Sequence, residues 1–430
     1  MKRVEKCLCI LLIVLFLFSC SSGILSRDTP LSCPDQKDNH IEETGILDSA
    51  EYEKHVEKES EKDTKVSFLA TGDNLLHSSL ICDASVNAGG KNTLNTEGPF
   101  DFMPIYANIA EAVASADLAF INQETPLAGN AYPYKGYPRF NGPFAAGEAL
   151  IATGFDIVNI ATNHMLDVSE GGLEGSITFW ENQPVTLIGG YRNRDDFDNI
   201  RLVTCNGISI ALLAYTTFIN YSTSLPEGSA YIVPYAKEET IRRQTALAHK
   251  LADVVIVSVH WGKEYKGDSW GETNHFPINS SQQKITDILL SCNVDVLIGH
   301  HPHVIQSIEK KQRADGKETL VINSLGNLVS TMECMKNMVG GLFTFDIVRN
   351  NKEIRIENVL FIPTITHYNK SYRKITLHYL ENYAHEQLKD HGALDSSKRT
   401  KEDLVKMVLD NIDTSYLPAY YQNPANYKNS

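Results

Sequence analysis

Six short apolar runs in this sequence each end in side chains that bind metal ions. Residues 66–71 lead into Gly72-Asp73, with His77 four positions on, and residues 118–121 lead into Asn122-Gln123-Glu124. Residues 157–162 lead into Asn163-His164 with Asp167 behind, and residues 254–259 into His260-Trp261-Gly262. Residues 294–298 end in Gly299-His300-His301-Pro302-His303, and residues 320–322 in Asn323-Ser324-Leu325-Gly326-Asn327. Carboxylates, an amide oxygen and imidazoles gathered in one cleft suit Zn²⁺, Mn²⁺ or Fe²⁺. A carboxylate such as Glu124 can bridge two cations about 3.5–4 Å apart, a pair that stabilises both the attacking and leaving oxygens in phosphoryl transfer. Each signal alone has an ordinary explanation: Gly-Asp after a strand is commonly a turn or helix cap, and a single histidine at a strand end is commonly structural. Six of the fourteen histidines (His77, His164, His260, His300, His301 and His303) nevertheless fall at these ends, which points to one shared metal site.

Such residues converge only if the runs are strands of open sheets, because ligands collect at the carboxyl ends of parallel strands. The apolar runs, together with residues 208–213, alternate with helical patterns at 104–114, 238–251 and 281–290, which predicts an α/β domain of buried strands covered by helices. After about residue 340 the pattern turns to successive strands at 342–348, 354–361 and 374–379. This gives one domain over residues 65–380 and a C-terminal helical tail over 381–430, with an amphipathic helix at 401–409. Gly171-Gly172 and Gly189-Gly190 read as turns, and no Walker loop or Gly-x-Ser-x-Gly elbow is present. Tyr132-Pro133-Tyr134 and Tyr137-Pro138-Arg139-Phe140 form a Gly/Pro-rich loop after Glu124, where a substrate-contacting lid would lie. Arg139 is the cation there that would pair with a phosphate or carboxylate; a plain surface role is the alternative. Trp261 and Tyr265 fit a substrate groove or packing against the sheet edge.

At the N-terminus, Lys2, Arg3 and Lys6 precede an apolar run from Cys7 to Phe18 and then Leu17-Phe18-Ser19-Cys20, the plan of a secretory signal over residues 1–20. Cys20 stands where a lipoprotein signal is cut and lipidated; an uncleaved membrane anchor is the alternative, and both place the rest outside the cytoplasm. Residues 21–64 are polar and charge-rich, a tether. The formal charge of −14 becomes −16 without the first nineteen residues, which argues against nucleic acid or anionic headgroups as general partners. Beyond Cys20, the cysteines at 33, 82, 205, 292 and 334 are scattered, giving neither a disulfide framework nor a Cys-type zinc site.

Read together, Thr71-Gly72-Asp73-Asn74-Leu75-Leu76-His77, Asn122-Gln123-Glu124-Thr125-Pro126-Leu127, Ala161-Thr162-Asn163-His164-Met165-Leu166-Asp167, His260-Trp261-Gly262-Lys263-Glu264-Tyr265, Gly299-His300-His301-Pro302-His303-Val304-Ile305-Gln306 and Ser324-Leu325-Gly326-Asn327 resemble, in order, the motifs of the CapA/PgsA family of poly-γ-glutamate capsule biosynthesis proteins. That family is a branch of the calcineurin-like metallophosphoesterase superfamily. The resemblance implies a four-layer α/β/β/α metallophosphoesterase-like sandwich around two divalent metal ions. It implies Asp73, Glu124, Asn163, His260, His300 and His303 as ligands, and His164, grouped with Asp167, as general acid toward the leaving oxygen. His301 falls where the resemblance leaves the position variable and ranks below its neighbours. Two departures matter: the superfamily's first motif usually reads Asp-x-His, where Leu75 stands here, so that a metal loses a ligand unless His77 reaches in; and Glu124 stands for a bridging Asp. The implied function is an extracytoplasmic, lipid-anchored metal-dependent hydrolase of a phosphoester or envelope polymer, linked to a capsule synthesis complex. The alternative is a non-enzymatic accessory protein that binds the carboxylates of an anionic polymer through its metal. A solute-binding lipoprotein would leave the histidines unexplained.

Overall fold

The computed structural model describes residues 64–94, 97–264, 275–351, 353–394 and 397–427; the signal and tether expected before residue 64, and Tyr265, lie outside the described residues. Fourteen strands are described: β1 (Thr64–Asn74), β2 (Leu118–Gln123), β3 (Ile157–Asn159), β4 (Thr186–Ile188), β5 (Arg201–Cys205), β6 (Ile208–Thr216), β7 (Val254–His260), β8 (Val296–His300), β9 (Ile308–Gln312), β10 (Glu318–Ile322), β11 (Asn327–Val329), β12 (Val339–Asn350), β13 (Glu353–His367) and β14 (Thr376–Tyr379). They form two sheets. One runs β14-β13-β12-β1-β2-β3-β4 with β11 beside β1, and the other runs β5-β6-β7-β8-β10-β9.

Within the first sheet β1 to β4 are mutually parallel, and within the second β6, β7, β8 and β10 are. Their apolar runs are continuous because both faces are covered. The outer face of the second sheet (Leu213, Tyr215, Val255, Val257 and Leu297) packs against Ile241 and Ala248 of helix Glu238–Leu251 and Ile285 and Leu289 of helix Ser280–Ser291. Its inner face (Ile210, Leu212, Ile256 and Ile298) joins the larger core with Phe68, Phe120 and Phe343 of the first sheet. Helices Ser78–Asn87, Phe144–Thr153 and Ser169–Glu181 bury their apolar faces in that larger core. The result is two sheets face to face between helical layers.

Several local expectations are revised. Gly171 and Gly172 lie inside helix Ser169–Glu181 rather than in a turn. Glycine is tolerated there because the packing is close: a Cβ on Gly172 would meet Val168 Cβ at 2.3 Å, and one on Gly171 the Tyr132 hydroxyl at 2.2 Å. The helical pattern at 104–114 divides into Met103–Tyr106 and Ala110–Ser115. The C-terminal stretch carries helix Lys401–Leu409, and its Leu404, Val405, Met407, Val408 and Tyr421 share the larger core with the strands. Cys82, Cys205, Cys292 and Cys334 are free thiols, and no helix among the described residues is long and apolar enough to cross a membrane.

Candidate metal centre

Parallel pairing sets the strand ends side by side. Asp73 of β1 aligns with Asn122 of β2, Asn122 with Asn159 of β3, and His260 of β7 with His300 of β8. The side chains follow the same ladder: Asn159 Nδ2 donates to Asn122 Oδ1 (2.7 Å) and Asn122 Nδ2 donates to Asp73 Oδ1 (2.7 Å). Gly72 and Gly299 precede the two ends where backbones meet. A Cβ on Gly72 would lie 2.0 Å from Gly326 O and one on Gly299 2.1 Å from Asn323 O, so any larger residue would push the ends apart.

The first sheet supplies acids and an amide. Asp73 and Glu124 are 0% and 1% exposed. The second sheet answers with imidazoles: His303 Nδ1 lies 3.2 Å from Asp73 Oδ2, and His303 Nε2 and His260 Nε2 lie 3.7 and 3.5 Å from Glu124 Oε1. Asn163 turns its amide oxygen to His260 Nε2 (2.8 Å) while its Nδ2 donates to Asn220 Oδ1 (3.2 Å). His303 Nδ1 also faces Asn327 Oδ1 (2.8 Å), whose own Nδ2 donates to Asn337 O, a chain of contacts that fixes the ring.

Three groups of donor atoms lie within 4.8 Å of one another: Glu124, His260 and His301; Asp73, Glu124 and His303; and Glu264, His301 and His303. Of the six ligands expected, five gather here: Asp73, Glu124, His260 and His303 in these groups, and Asn163 beside His260. His300 stands apart from the three groups. Its ring stacks on Phe120 (centroids 5.7 Å, 21°), and its Nδ1 lies 3.5 Å from Asp73 Oδ1. His301, ranked below it, belongs to two groups. His301 has φ +97° and His303 +56°, so the chain leaves the alternation of the strand in this loop. Non-glycine residues held there are strained, a cost that clusters at functional sites. Glu264, which sequence reasoning did not set among the ligands, comes four residues after His260 in the same strand-end loop. That spacing was the signal available for it.

Electrostatics match the grouping. Burial drives the Glu124 carboxyl up to about 8, against the pull of the His303 charge. Burial also favours the neutral form of Asp73, but His300 and His303 outweigh it and hold this carboxyl well below the ordinary range. His303 is depressed by burial yet raised to about 10 by Glu124 and Asp73, while burial keeps His260 and His301 well below 6.5. Both carboxylate oxygens of Glu124, Nδ1 of His260, Nδ1 of His301 and both ring nitrogens of His300 are buried with no hydrogen-bond partner. An unsatisfied buried polar group costs about 1–3 kcal/mol, so unpartnered oxygens of Glu124 and unpartnered imidazole nitrogens along this strand edge suit a cation that takes at most one atom from each imidazole as donor. The residues present fit divalent metal.

Beside this cluster His164 Nδ1 lies 2.6 Å from Asp167 Oδ2, and His164 Nε2 lies 3.9 Å from Glu124 Oε1. Asp167 Oδ2 also accepts from Phe140 N (2.7 Å), and the Phe140 ring meets His164 edge to face (4.7 Å). The loop expected as a lid thus props the imidazole. Tyr137, Phe140, His164, Asn220, Tyr221, Glu264 and His303 line a cavity of about 210 Å³. Arg139 stacks over Tyr221 (4.7 Å). His77 also lines the cavity but falls in none of the three donor groups: its Nδ1 accepts from Thr331 N (3.4 Å), and burial lowers it to about 4. Trp261 is fully buried and donates Nε1–H to Asn323 O (2.9 Å), which makes it packing rather than groove.

Comparison with known proteins agrees with these motifs. PGA biosynthesis protein CapA of Bacillus subtilis (strain 168) is 27% identical over 197 residues, 46% of this chain and 48% of that protein. Capsule biosynthesis protein CapA of Bacillus anthracis is 28% identical over 185 residues, 42% of each. The chain therefore spans about half the length of the curated relatives it matches. Among solved structures, NAD nucleotidase (NadN) of Haemophilus influenzae is 15% identical with a TM-score of 0.40, covering 80% of this chain and 60% of that one. A putative 5'-nucleotidase of Staphylococcus aureus is 13% identical with a TM-score of 0.41, covering 70% and 54%. Likenesses this distant speak to neither substrate nor reaction. The family model for bacterial capsule synthesis protein PGA_cap matches residues 67–332, a stretch that contains Asp73, Glu124, the His164–Asp167 pair and all the imidazoles of the cluster, and the chain belongs to that family.

Proposed function

We propose that this chain is a lipid-anchored, extracytoplasmic metal-dependent hydrolase that cleaves a phosphoester or an envelope polymer in capsule synthesis. The observation that carries the reading is the His164–Asp167 pair, 2.6 Å apart, with the far nitrogen of the imidazole turned toward Glu124 and the open cavity. Divalent cations bound by Asp73, Glu124, Asn163, His260 and His303, with His301 beside them, would act as Lewis acids and stabilise charge on the attacking and leaving oxygens. Asp167 accepts Nδ1–H, which leaves Nε2 to carry a proton to the leaving oxygen. The Phe140 ring and backbone hold that imidazole in place and keep water from its flank. Arg139 and Tyr221 at the mouth favour an anionic substrate. Cys20 would tether the domain to the membrane, with residues 21–64 as spacer.

The full chain, purified in detergent and supplied with Mn²⁺, should hydrolyse bis(p-nitrophenyl) phosphate, and His164→Ala should slow it by roughly 10²–10⁴-fold. Activity unchanged in both His164→Ala and Glu124→Ala would sink the reading. A second reading is favoured by the name of one relative, PGA biosynthesis protein CapA: a non-enzymatic accessory protein whose metal binds the carboxylates of poly-γ-glutamate. A chain that holds metal and polymer but turns over no phosphoester would establish it instead.

A further inference from the structure

The first sheet brings few donors to the centre from β1. Beyond Asp73 the strand continues with Asn74, whose amide is consumed by Gln123 Oε1 (2.6 Å) and the Tyr106 hydroxyl (2.8 Å), and then with Leu75 and Leu76, which are buried and apolar. His77 accepts from Thr331 N and stands against Phe140. The group formed by Asp73, Glu124 and His303 is therefore a three-donor set with one nitrogen in it, the count of protein ligands at which a catalytic divalent site keeps its remaining position open. Asp73 and Glu124 also carry two negative charges between them, half of what two dications bring.

On the opposite side the chain adds a further donor set, which shares His303 with the first. After β7 ends at His260, Trp261 is pinned in the core and Gly262 turns the backbone at φ +88°. A Cβ on Gly262 would lie 3.0 Å from Gln282 Cδ, so the turn hugs helix Ser280–Ser291. Two residues later Glu264 reaches the cavity that holds His164 and His303, and its carboxylate stands within 4.8 Å of donor nitrogens of both His301 and His303. His301 is 2% exposed, and its Nδ1 is buried with no hydrogen-bond partner. An acid and two imidazoles in one small space are a donor set, and Glu264 is its only carboxylate.

We propose that Glu264 is a metal ligand of the centre, donated from the loop after β7 and acting with His301 and His303. This rests on the metal-centre reading above and adds to it a third carboxylate, which brings the negative charge from two to three. It also makes the segment Trp261–Glu264 part of the centre, so that metal binding would fix Glu264 in the cavity wall.

The test compares Mn²⁺ binding by the full chain, Glu264→Gln and Glu264→Asp, using equilibrium dialysis with elemental analysis and the electron paramagnetic resonance spectrum of the bound ion. Glu264→Gln keeps the shape and removes the charge, and it should weaken at least one bound Mn²⁺ by about tenfold or more and change its spectrum. Glu264→Asp should retain more affinity than Glu264→Gln; a fall in both to the same level, with a lowered metal-free melting temperature, would mark Glu264 as merely structural and overturn the proposal. Wild-type affinity, stoichiometry and spectrum in Glu264→Gln, with metal lost in Glu124→Gln, would overturn it while leaving the metal centre standing. A wild-type chain that holds neither Mn²⁺ nor Zn²⁺ would overturn both.

Discussion

Loading the centre with metal should release about two protons at pH 7, and the affinity should climb steeply with pH. Metal binding requires Glu124 as a carboxylate and His303 as a neutral imidazole. Without metal, burial holds the Glu124 proton up to about 8, and the Glu124 and Asp73 charges overcome burial to hold that of His303 up to about 10. His260 and His301 are pushed the other way by burial and Asp73 is kept ionised by His300 and His303, so these three have no proton to give up. At roughly 1.36 kcal/mol per unit, one unit for Glu124 and three for His303 make displacement at pH 7 cost on the order of 5 kcal/mol, nearly four powers of ten in affinity. Both groups lose their protons more readily as pH rises, so Mn²⁺ affinity should increase about a hundredfold per unit between pH 6.5 and 7.5, and about tenfold per unit once Glu124 has titrated. Calorimetric titration of the metal-free chain in two buffers of different ionisation enthalpy reads the proton count directly. Glu124→Gln should release one proton fewer. A heat independent of the buffer, together with an affinity flat across that pH interval, would refute the electrostatic account of the site.

Three further outcomes follow from the geometry. His301→Ala should weaken Mn²⁺ binding by at least about tenfold, while His300→Ala, whose ring rests on Phe120, should change it less; elemental analysis after dialysis separates them, and the opposite order would mean that the loop is oriented otherwise. Asp167→Asn leaves an acceptor for Phe140 N–H but weakens the hold on His164 Nδ1–H, so kcat toward a phosphodiester should fall roughly ten- to a hundredfold with Mn²⁺ affinity unchanged; equal losses in both would contradict a role confined to His164. His391 is buried by Tyr368 and His367, its Nε2 meets Thr366 O, and its Nδ1 accepts from Ala393 N and Leu394 N; burial lowers it to about 4. A depressed imidazole stabilises the fold fully above about pH 6.5 and loses that contribution as pH falls toward 4, up to about 3 kcal/mol, so urea midpoints of the metal-free chain should be lower at pH 4.5 than at pH 7.

The sheets and the place of the site were legible because a buried parallel strand is a continuous apolar run and its end is where polarity returns. Residues 66–70, 254–259 and 320–322 announce β1, β7 and β10 in this way. Strands without such a run left no mark: β4 is three residues long, and β9 reads Ile-Glu-Lys-Lys-Gln on a sheet edge. Helix Ser169–Glu181 was hidden by Gly171, Gly172 and Gly175, which lower helix propensity; Gly171 and Gly172 pack closely against Tyr132 and Val168. The different placement of His300 and His301 was beyond sequence patterning altogether. The two are adjacent and chemically identical, and what separates them is the positive φ of His301, a property imposed by the packed loop.

The division of donors between the sheets explains why this centre needs the whole domain. Asp73, Glu124 and Asn163 come from the first sheet and His260, His301 and His303 from the second, so each sheet alone gathers groups of like character that repel when charged. Docking the sheets pairs acid with imidazole across the interface, at His303–Asp73 and His303–Glu124, and links Asn163 to His260 and Asn159 to Ser258. The family match stops at residue 332, after every candidate ligand named above, yet β1 would then be left with one long edge bare. β12 covers that edge through eight antiparallel pairs, from Thr64–Arg349 to Thr71–Leu342, and β13, β14 and the C-terminal helices in turn cover β12 and the core beneath. Asp73 stands two residues past the last of those pairs. Among the described residues, those from 339 to 427 add no candidate ligand and still fix the strand that carries Asp73, which is the physical reason for the C-terminal stretch to be packed into the domain rather than hung from it.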